Sequence, residues 1–262
     1  MTAGSSRTVY DETAYWDLAF RDETADELAF LSELSSRERR AGQAFGRLYE
    51  PGCGGGRLVI AATAAGFEVS ACDLSEPAIT YVNRRLRRRG LEAEVEVGDM
   101  RSWKPRASVD VAICPVNTFR HLLNDADALA HLSTVAAAVR PGGYYAIGLH
   151  LLPPDAAEDD GERWTSRHSR TSVTVTLRVV AFDRRKRIER LRFNLLVRSG
   201  ETTKRFRTEF DYRIYTARQI RKLLEAAEDW TLESVHDFWW DLNETLELND
   251  DRGDTVLLLR RV

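Results

Sequence analysis

The sequence predicts an α/β protein with a mostly parallel sheet, a last strand that runs antiparallel, and an antiparallel β insertion. Three observations carry this prediction. A glycine-rich turn at residues 52–56 separates an apolar run from a helical pattern. Short apolar runs then alternate with helical patterns over residues 45–150, as in sheets built from crossover connections. Residues 160–215 switch to a period-two pattern, which is typical of antiparallel strands.

The glycine-rich turn predicts a nucleotide pocket. Residues 48–57 read Leu-Tyr-Glu-Pro-Gly-Cys-Gly-Gly-Gly-Arg, and Asp73 follows the next apolar run. Gly52 and Gly54 lack a Cβ atom, which permits a tight turn and lets a ligand lie against bare backbone. An acid at the end of the second strand can accept hydrogen bonds from both hydroxyls of a ribose. Both features belong at the carboxyl edge of the sheet, where nucleotides bind.

Two side chains beside the turn indicate which nucleotide it suits. Arg57 stands where the dinucleotide motif G-x-G-x-x-G requires its third glycine. Glu50 ends the first strand, and a carboxylate there repels phosphates. It suits a cationic ligand, such as the amine and sulfonium of S-adenosylmethionine. The turn alone leaves one alternative open, a plain glycine turn in an α/β protein.

The helices and strands are expected in a regular order. An aromatic-rich helical stretch at 10–20 precedes the fold proper. The pattern predicts helices at 57–65, 76–89 and 125–139, and strands at 67–72, 93–97, 109–114 and 144–149, the last after a sharp turn at 140–143. Thr216 is a good N-cap for a helix at 217–227, and strands at 231–236 and 254–261 form the hairpin that closes the sheet.

The period-two segment predicts a separate layer. We expect strands at 164–180, 190–197 and 203–215, with the basic run at 184–187 as a solvated hairpin tip. The domain organisation that follows has an N-terminal helical lid at 1–40, a core at 41–159 and 216–262, and a substrate-covering insertion at 160–215.

Composition excludes several classes of partner. The 262-residue chain is 43% hydrophobic, enough for one large α/β domain, and its net charge of −3 gives no drive toward nucleic acid. No apolar run approaches the roughly 20 residues of a membrane span, and the first residues lack the apolar region of a signal peptide. The three cysteines have no metal-ligand spacing, so we expect a cytoplasmic protein without a bound metal.

Four short motifs follow one another along the chain. They are Glu-Pro-Gly-Cys-Gly-Gly-Gly at 50–56, Cys-Asp-Leu-Ser at 72–75, Gly-Asp-Met at 98–100 and Arg-Pro-Gly-Gly at 140–143. In this order and spacing they resemble the motifs of class I S-adenosylmethionine-dependent methyltransferases of the small-molecule type. The resemblance implies a Rossmann-like methyltransferase sheet and S-adenosylmethionine as the cofactor.

The resemblance also implies a role for each matching residue. Asp73 would bind the ribose, Asp99 and Met100 would hold the adenine, and the methionine end would lie on Glu50 and Gly52. The implied cofactor contacts are Tyr15, Glu50, Gly52, Gly54, Asp73, Leu74, Asp99, Met100, Cys114 and Asn117. From the residues alone, Asp73 or Ser75 could simply cap the next helix, and Asp99 could be a surface acid.

Residues 116–122 contain the candidate catalytic residue. They read Val-Asn-Thr-Phe-Arg-His-Leu and resemble a stretch of glycine N-methyltransferase-like enzymes that borders cofactor and substrate. Asn117 and His121 are therefore candidates to contact the methionine moiety. His121 is also the candidate base, because the unperturbed pKa of histidine lies near neutrality. It could instead cap or line the following helix.

Two aromatic stretches complete the expected site. Tyr15 is expected in a lid over the cofactor, where a ring contributes a cation–π energy of about 0.5–2 kcal/mol, although the stretch could instead pack on the sheet edge. Trp239, in the aromatic loop 238–240, is expected to line the same cavity as Tyr15 and His121. That loop could instead bury an interface, which leaves a homodimer open.

These features predict in-line methyl transfer to an amine or hydroxyl of a small molecule. Such a displacement needs alignment and exclusion of water more than a catalytic triad. Residues 114–117 read Cys-Pro-Val-Asn and lack the Asn-Pro-Pro-Tyr-like signature of nucleic-acid amino-group methylation. Two alternatives remain: a regulatory protein that binds S-adenosylmethionine without transferring its methyl, and a nicotinamide-dependent oxidoreductase, which Glu50 and Arg57 disfavour.

Overall fold

The computed structural model describes residues 12–38, 46–153, 156, 161–251 and 253–262. Its strands are β1 Arg47–Pro51, β2 Glu68–Asp73, β3 Glu94–Val97, β4 Val109–Cys114, β5 Val139–His150, β6 Gly161–His168, β7 Thr171–Asp183, β8 Ile188–Ser199, β9 Thr202–Arg213, β10 Trp230–His236 and β11 Asp254–Arg261. Its helices are α1 Thr13–Ala19, α2 Thr24–Glu38, α3 Arg57–Ala64, α4 Glu76–Arg89, α5 Asp125–Ala138 and α6 Ala217–Glu225, with short 3-10 turns at Arg21–Glu23 and Thr118–His121.

The predicted α/β sheet is confirmed. Seven strands pair in the order β10-β11-β5-β4-β1-β2-β3. β11 runs antiparallel to both of its neighbours, whereas the pairs among β5, β4, β1, β2 and β3 are parallel. The strand order reverses between β1 and β4, and the crevice beyond the carboxyl ends of such strands is where ligands bind in open α/β sheets.

Both faces of the central strand are buried. Tyr49 belongs to the core cluster that contains residues of α5 and α6, whereas the adjacent Leu48 belongs to the cluster that contains residues of α2, α3 and α4. Successive side chains of a strand point to opposite faces, so a strand covered on both sides is a continuous apolar run. This is why the core strands read as short apolar runs in the sequence.

The insertion forms a second, antiparallel sheet with one more strand than expected. Its order is β6-β7-β8-β9. The stretch at 164–180, expected as one strand, turns back between His168 and Thr171, where Ser169 has a φ of 53°. Apolar residues of this sheet, among them Val173 and Phe193, share a core cluster with Leu18 of α1. The lid helix and the insertion therefore pack together.

Two further differences concern the ends of elements. β5 begins at Val139 and includes the expected turn at 140–143. Between Val109 and Val111 of β4, the partner on β5 moves from Val139 to Tyr144, so the turn residues form an irregularity inside the strand pair. The second N-terminal helix, α2, lies within the segment 1–40 that was expected to be helical, although only the stretch at 10–20 was assigned individually. No helix in the described ranges is long and apolar enough to cross a membrane.

Candidate active site

The glycine turn after β1 shapes one wall of a cavity. Gly52 and Gly54 have φ values of 70° and 51°, the left-handed region that side chains with a Cβ rarely adopt. The backbone N–H of Gly52 donates to the Cys72 carbonyl at 2.8 Å, which folds the turn over the end of β2. A Cβ on Gly52 would lie 2.5 Å from Cγ2 of Thr118, so a side chain there would strain the backbone and displace Thr118.

Asp73 is fixed beside this turn. One carboxylate oxygen accepts the Gly54 N–H at 2.8 Å, and the other accepts the Ser75 N–H at 2.8 Å. The N-cap of α4 is Ser75, whose hydroxyl accepts the Ala78 N–H, so Asp73 is not needed for capping. Burial raises the pKa of Asp73, while the two backbone N–H groups lower it. Each of its oxygens retains a lone pair for a further donor.

The cavity next to this turn has a volume of about 690 Å³. It brings together seven of the residues predicted from sequence: Glu50, Gly52, Gly54, Asp73, Leu74, Met100 and His121. Leu74 is 70% exposed at the mouth of this cavity.

Glu50 places a buried carboxyl group in the wall of this cavity. Its side chain is buried, and its Oε2 atom has no hydrogen-bond partner among the described residues. Burial raises the pKa of Glu50 to about 8, although the positive charge of Arg57 lowers it. A buried carboxylate without a partner is costly, and an ammonium group would satisfy it. The site therefore fits the amine of S-adenosylmethionine, with Asp73 available for its ribose.

Arg57 has a structural role that the sequence does not reveal. Its Nη1 and Nη2 atoms donate to the two carboxylate oxygens of Glu27 at 2.5 and 2.6 Å, and Glu27 is fully buried on α2. This bidentate pair joins the N-terminal helices to the start of α3. Such fork geometry is specific to arginine.

Helix α1 covers the cavity with one face. Thr13, Trp16, Asp17 and Phe20 all line it, and their spacing follows the helical repeat. Tyr15 points elsewhere and does not line the cavity; its ring lies 5.9 Å from that of Phe206 on the insertion. Trp16, the residue next to the expected Tyr15, lines the cavity instead, and helical spacing selects it once the cavity side of α1 is known.

Three other residues that were predicted to contact the cofactor do not line this cavity. The Asp99 carboxylate is held by Arg101, which lowers its pKa, although Met100 beside it does line the cavity. Cys114 is fully buried in the core among apolar residues, and burial raises its pKa to about 12. Asn117 lies in a neighbouring cavity, where its Oδ1 accepts the His150 backbone N–H at 2.9 Å.

His121 lies under the insertion sheet. Its ring is 4.8 Å from that of Tyr212 in an edge-on arrangement and 5.4 Å from that of Phe210. Burial, and then the positive charge of Arg120, lower the pKa of His121 to about 4. The imidazole is therefore neutral at physiological pH.

A second cavity of about 870 Å³ adjoins the first. The two share Trp16, Phe20, Val116 and Tyr212 as lining residues. The second cavity is also lined by Phe193 of the insertion and by Phe238. The expectation that Trp239 lines the site is wrong, because its side chain is 78% exposed. Its neighbour Phe238 lines the second cavity, not the one that His121 lines.

The described residues contain no group of three or more His, Cys, Asp or Glu side chains arranged to hold a metal ion.

Comparison with known proteins agrees with this geometry. Residues 49–143 match the family model described as "Methyltransferase domain", a range that holds all four motifs. No curated protein sequence matches the chain.

Solved structures share the fold over nearly the whole chain. An S-adenosylmethionine-dependent methyltransferase from Clostridium acetobutylicum ATCC 824 superposes with a TM-score of 0.71 at 16% identity, covering 97% of this chain and 96% of that one. CalS10, an amino pentose methyltransferase from Micromonospora echinaspora, gives 0.69 at 19% identity and covers 100% of both chains. The sugar N-methyltransferase KedS8 from Streptoalloteichus sp ATCC 53650 gives 0.71 at 18%, covering 100% and 99%.

Residues 49–143 therefore form a methyltransferase domain, and the chain has the fold of S-adenosylmethionine-dependent methyltransferases. The family match identifies the domain at residues 49–143. The superpositions show that the shared fold extends through the N-terminal helices and the insertion.

Proposed function

We propose that this methyltransferase transfers a methyl group to an amine of a small molecule by in-line displacement. The observation that carries the proposal is the junction of the two cavities, where a neutral His121 faces the cofactor side under the insertion sheet. The acceptor would occupy the second cavity and reach the methyl at this junction.

The chain's own residues would hold the cofactor as follows. S-adenosylmethionine supplies, when bound, a methyl group already activated by its positively charged sulfur. Glu50 would pair with the amine, Asp73 would accept hydrogen bonds from the ribose hydroxyls, and Leu74 and Met100 would pack against the adenine. Trp16 and Phe20 would exclude water from the reacting atoms, which favours displacement over side reactions.

The protonation state of His121 favours an amine over a hydroxyl as the acceptor. A base whose pKa is about 4 is poorly matched to removing a proton from a hydroxyl near neutral pH. An amine needs only a free lone pair, which a neutral imidazole can orient through a hydrogen bond. The names of two structural neighbours, an amino pentose methyltransferase and a sugar N-methyltransferase, support the same class of acceptor.

The insertion sheet would select the acceptor. Phe193 and Leu191 of β8 line the second cavity together with Tyr212 of β9 and Phe238. Aromatic faces pack well on the apolar faces of sugar-like rings, while the polar edges of such a ligand reach the charged groups of the wall.

The test is a panel of matched acceptors. Each amino sugar is paired with the sugar that carries a hydroxyl at the same position, and both are incubated with isotope-labelled S-adenosylmethionine. We expect label on nitrogen in the amines and none in the matched alcohols. Label on oxygen would contradict the proposal. Cofactor binding without transfer to any member would favour a regulatory binding protein instead.

A further inference from the structure

We propose that the buried pair of Arg120 and Glu189 is a positioning device, which holds Tyr212 of the insertion against His121 where the two cavities meet. The pair joins a loop of the core to the insertion sheet. The Arg120 side chain is 2% exposed and that of Glu189 is 5% exposed.

Arg120 binds three partners from different parts of the fold. Its Nη2 donates to Glu189 on β8, its Nε donates to the Arg213 carbonyl on β9 at 2.9 Å, and its Nη1 donates to Asn117 Oδ1 at 3.3 Å. Its guanidinium also lies over the Tyr212 ring, with Cζ 4.9 Å from the ring centre. Only a planar fork reaches all of these groups at once, so lysine cannot replace it.

These contacts place the Tyr212 ring. Glu189 and Tyr212 are cross-strand neighbours in the β8–β9 pair, so the guanidinium contacts both residues of one cross-strand pair. Tyr212 lines both cavities, and its edge-on contact with His121 follows from this position. Arg120 is the residue directly before His121, so one side chain fixes the imidazole and the ring that covers it.

Stability alone does not account for this pair. A buried ion pair often gains little over well-packed apolar residues, because both charges must leave water. The same two strands carry a second pair, Arg190 with Asp211, one residue away and on the exposed side, at 2.7 Å. That pair ties β8 to β9 without touching the cavities and provides a matched control.

The test follows His121 by NMR in the full chain labelled at its histidine imidazoles, with the His121→Gln variant for assignment. R120K keeps the positive charge but lacks the planar guanidinium with its several N–H donors. R120M/E189L removes both charges, and R190K is the control. We expect R120K to raise the titration midpoint of His121 by at least one pH unit from about 4, because water reaches the ring. Both Arg120 variants should lose the ring-current shift that Tyr212 causes at His121. R190K should change neither this shift nor the titration midpoint of His121.

The double variant also reports on stability, and we expect its melting temperature to stay close to that of the wild type. The proposal is overturned if folded R120K and R120M/E189L keep the wild-type ring-current shift. It is equally overturned if the double variant fails to fold while R120K keeps the wild-type titration midpoint and ring-current shift of His121.

A kinetic arm rests on the proposed function. With the amino sugar that is methylated fastest, R120K should lower kcat at least tenfold while its affinity for S-adenosylhomocysteine is unchanged. Because the NMR arm needs no acceptor, a failure of the proposed function and a failure of this inference can be told apart.

Discussion

Asp17 and Arg85 join the lid helix to the body of the protein. The Arg85 Nη1 atom lies 2.7 Å from the Asp17 carboxylate and 2.8 Å from the carbonyl oxygen of Gly55. One arginine of α4 therefore binds both the helix above the cofactor cavity and the glycine turn below it. The position of α1 is thereby coupled to the conformation of the turn.

Removing Arg85 should loosen the lid. Arg85→Met leaves the buried Asp17 without its counter-charge, a loss that typically costs about 3–5 kcal/mol in the free energy of unfolding. Affinity for S-adenosylhomocysteine should also fall, as measured by calorimetry. The double variant Asp17→Asn with Arg85→Met should recover part of the stability. Arg84→Met, the exposed neighbour on α4, is the control, and equal effects at both positions would contradict this role.

Asp73→Ala should lower the affinity for S-adenosylhomocysteine by about tenfold or more. Hydrogen bonds to a charged group contribute roughly 1.5–3 kcal/mol each, and about 1.4 kcal/mol corresponds to tenfold. The control is Asp110→Ala, which removes an acid that binds Arg140 away from the cavity. Unchanged affinity in a folded Asp73→Ala protein would remove this residue from the cofactor site.

Glu50 makes both stability and cofactor binding depend on pH. Its pKa is raised from 4.5 to about 8, so between these values the folded protein holds a proton that the unfolded chain has released. The free energy of unfolding therefore falls as pH rises through this window. Glu50→Gln should remove part of that fall and leave stability near pH 4 unchanged.

Binding of a cationic amine should reverse the preference of Glu50 for its protonated form. Below pH 8 we expect S-adenosylhomocysteine to displace a proton from the wild-type protein, measured by calorimetry in buffers of different ionisation enthalpy. The Glu50→Gln variant should release less. Equal proton release by both proteins would show that the amine does not meet this carboxylate.

Adjacent aromatic residues of α1 should differ in their effects. Trp16→Ala should lower the rate of methyl transfer by about tenfold or more, since Trp16 lines both cavities. The centre of its ring lies 5.3 Å from that of the Phe193 ring. Tyr15→Ala should change turnover little, because Tyr15 does not line either cavity and its ring lies beside Phe206 and Lys204 of the insertion. The reverse order of effects in steady-state assays would mean that the face of α1 with Tyr15, and not the face with Trp16, covers the cofactor cavity.

The sheet could be predicted from sequence because its signals are local. Glycines, an acid at a strand end and alternating apolar runs specify β1 to β5, and the helix at Glu76–Arg89 was predicted to the residue. The turn at Ser169 carries no glycine or proline, so nothing local divides β6 from β7.

The contacts that complete the site are not local and could not be predicted in this way. Arg57 was interpreted by its position in a motif, whereas its partner Glu27 lies thirty residues earlier. Arg120 and Glu189 are sixty-nine residues apart, and no periodic pattern links them. Trp16 could have been chosen over Tyr15 from helical spacing, but only once the cavity side of α1 was known.

The position of the cofactor in this cavity can be determined by a crystal structure with S-adenosylhomocysteine. We expect the ligand to fill the cavity of about 690 Å³, with its ribose on Asp73, its amine on Glu50 and its sulfur toward the opening between Trp16 and Tyr212. A ligand whose ribose lies away from Asp73, or whose sulfur faces away from the second cavity, would contradict it.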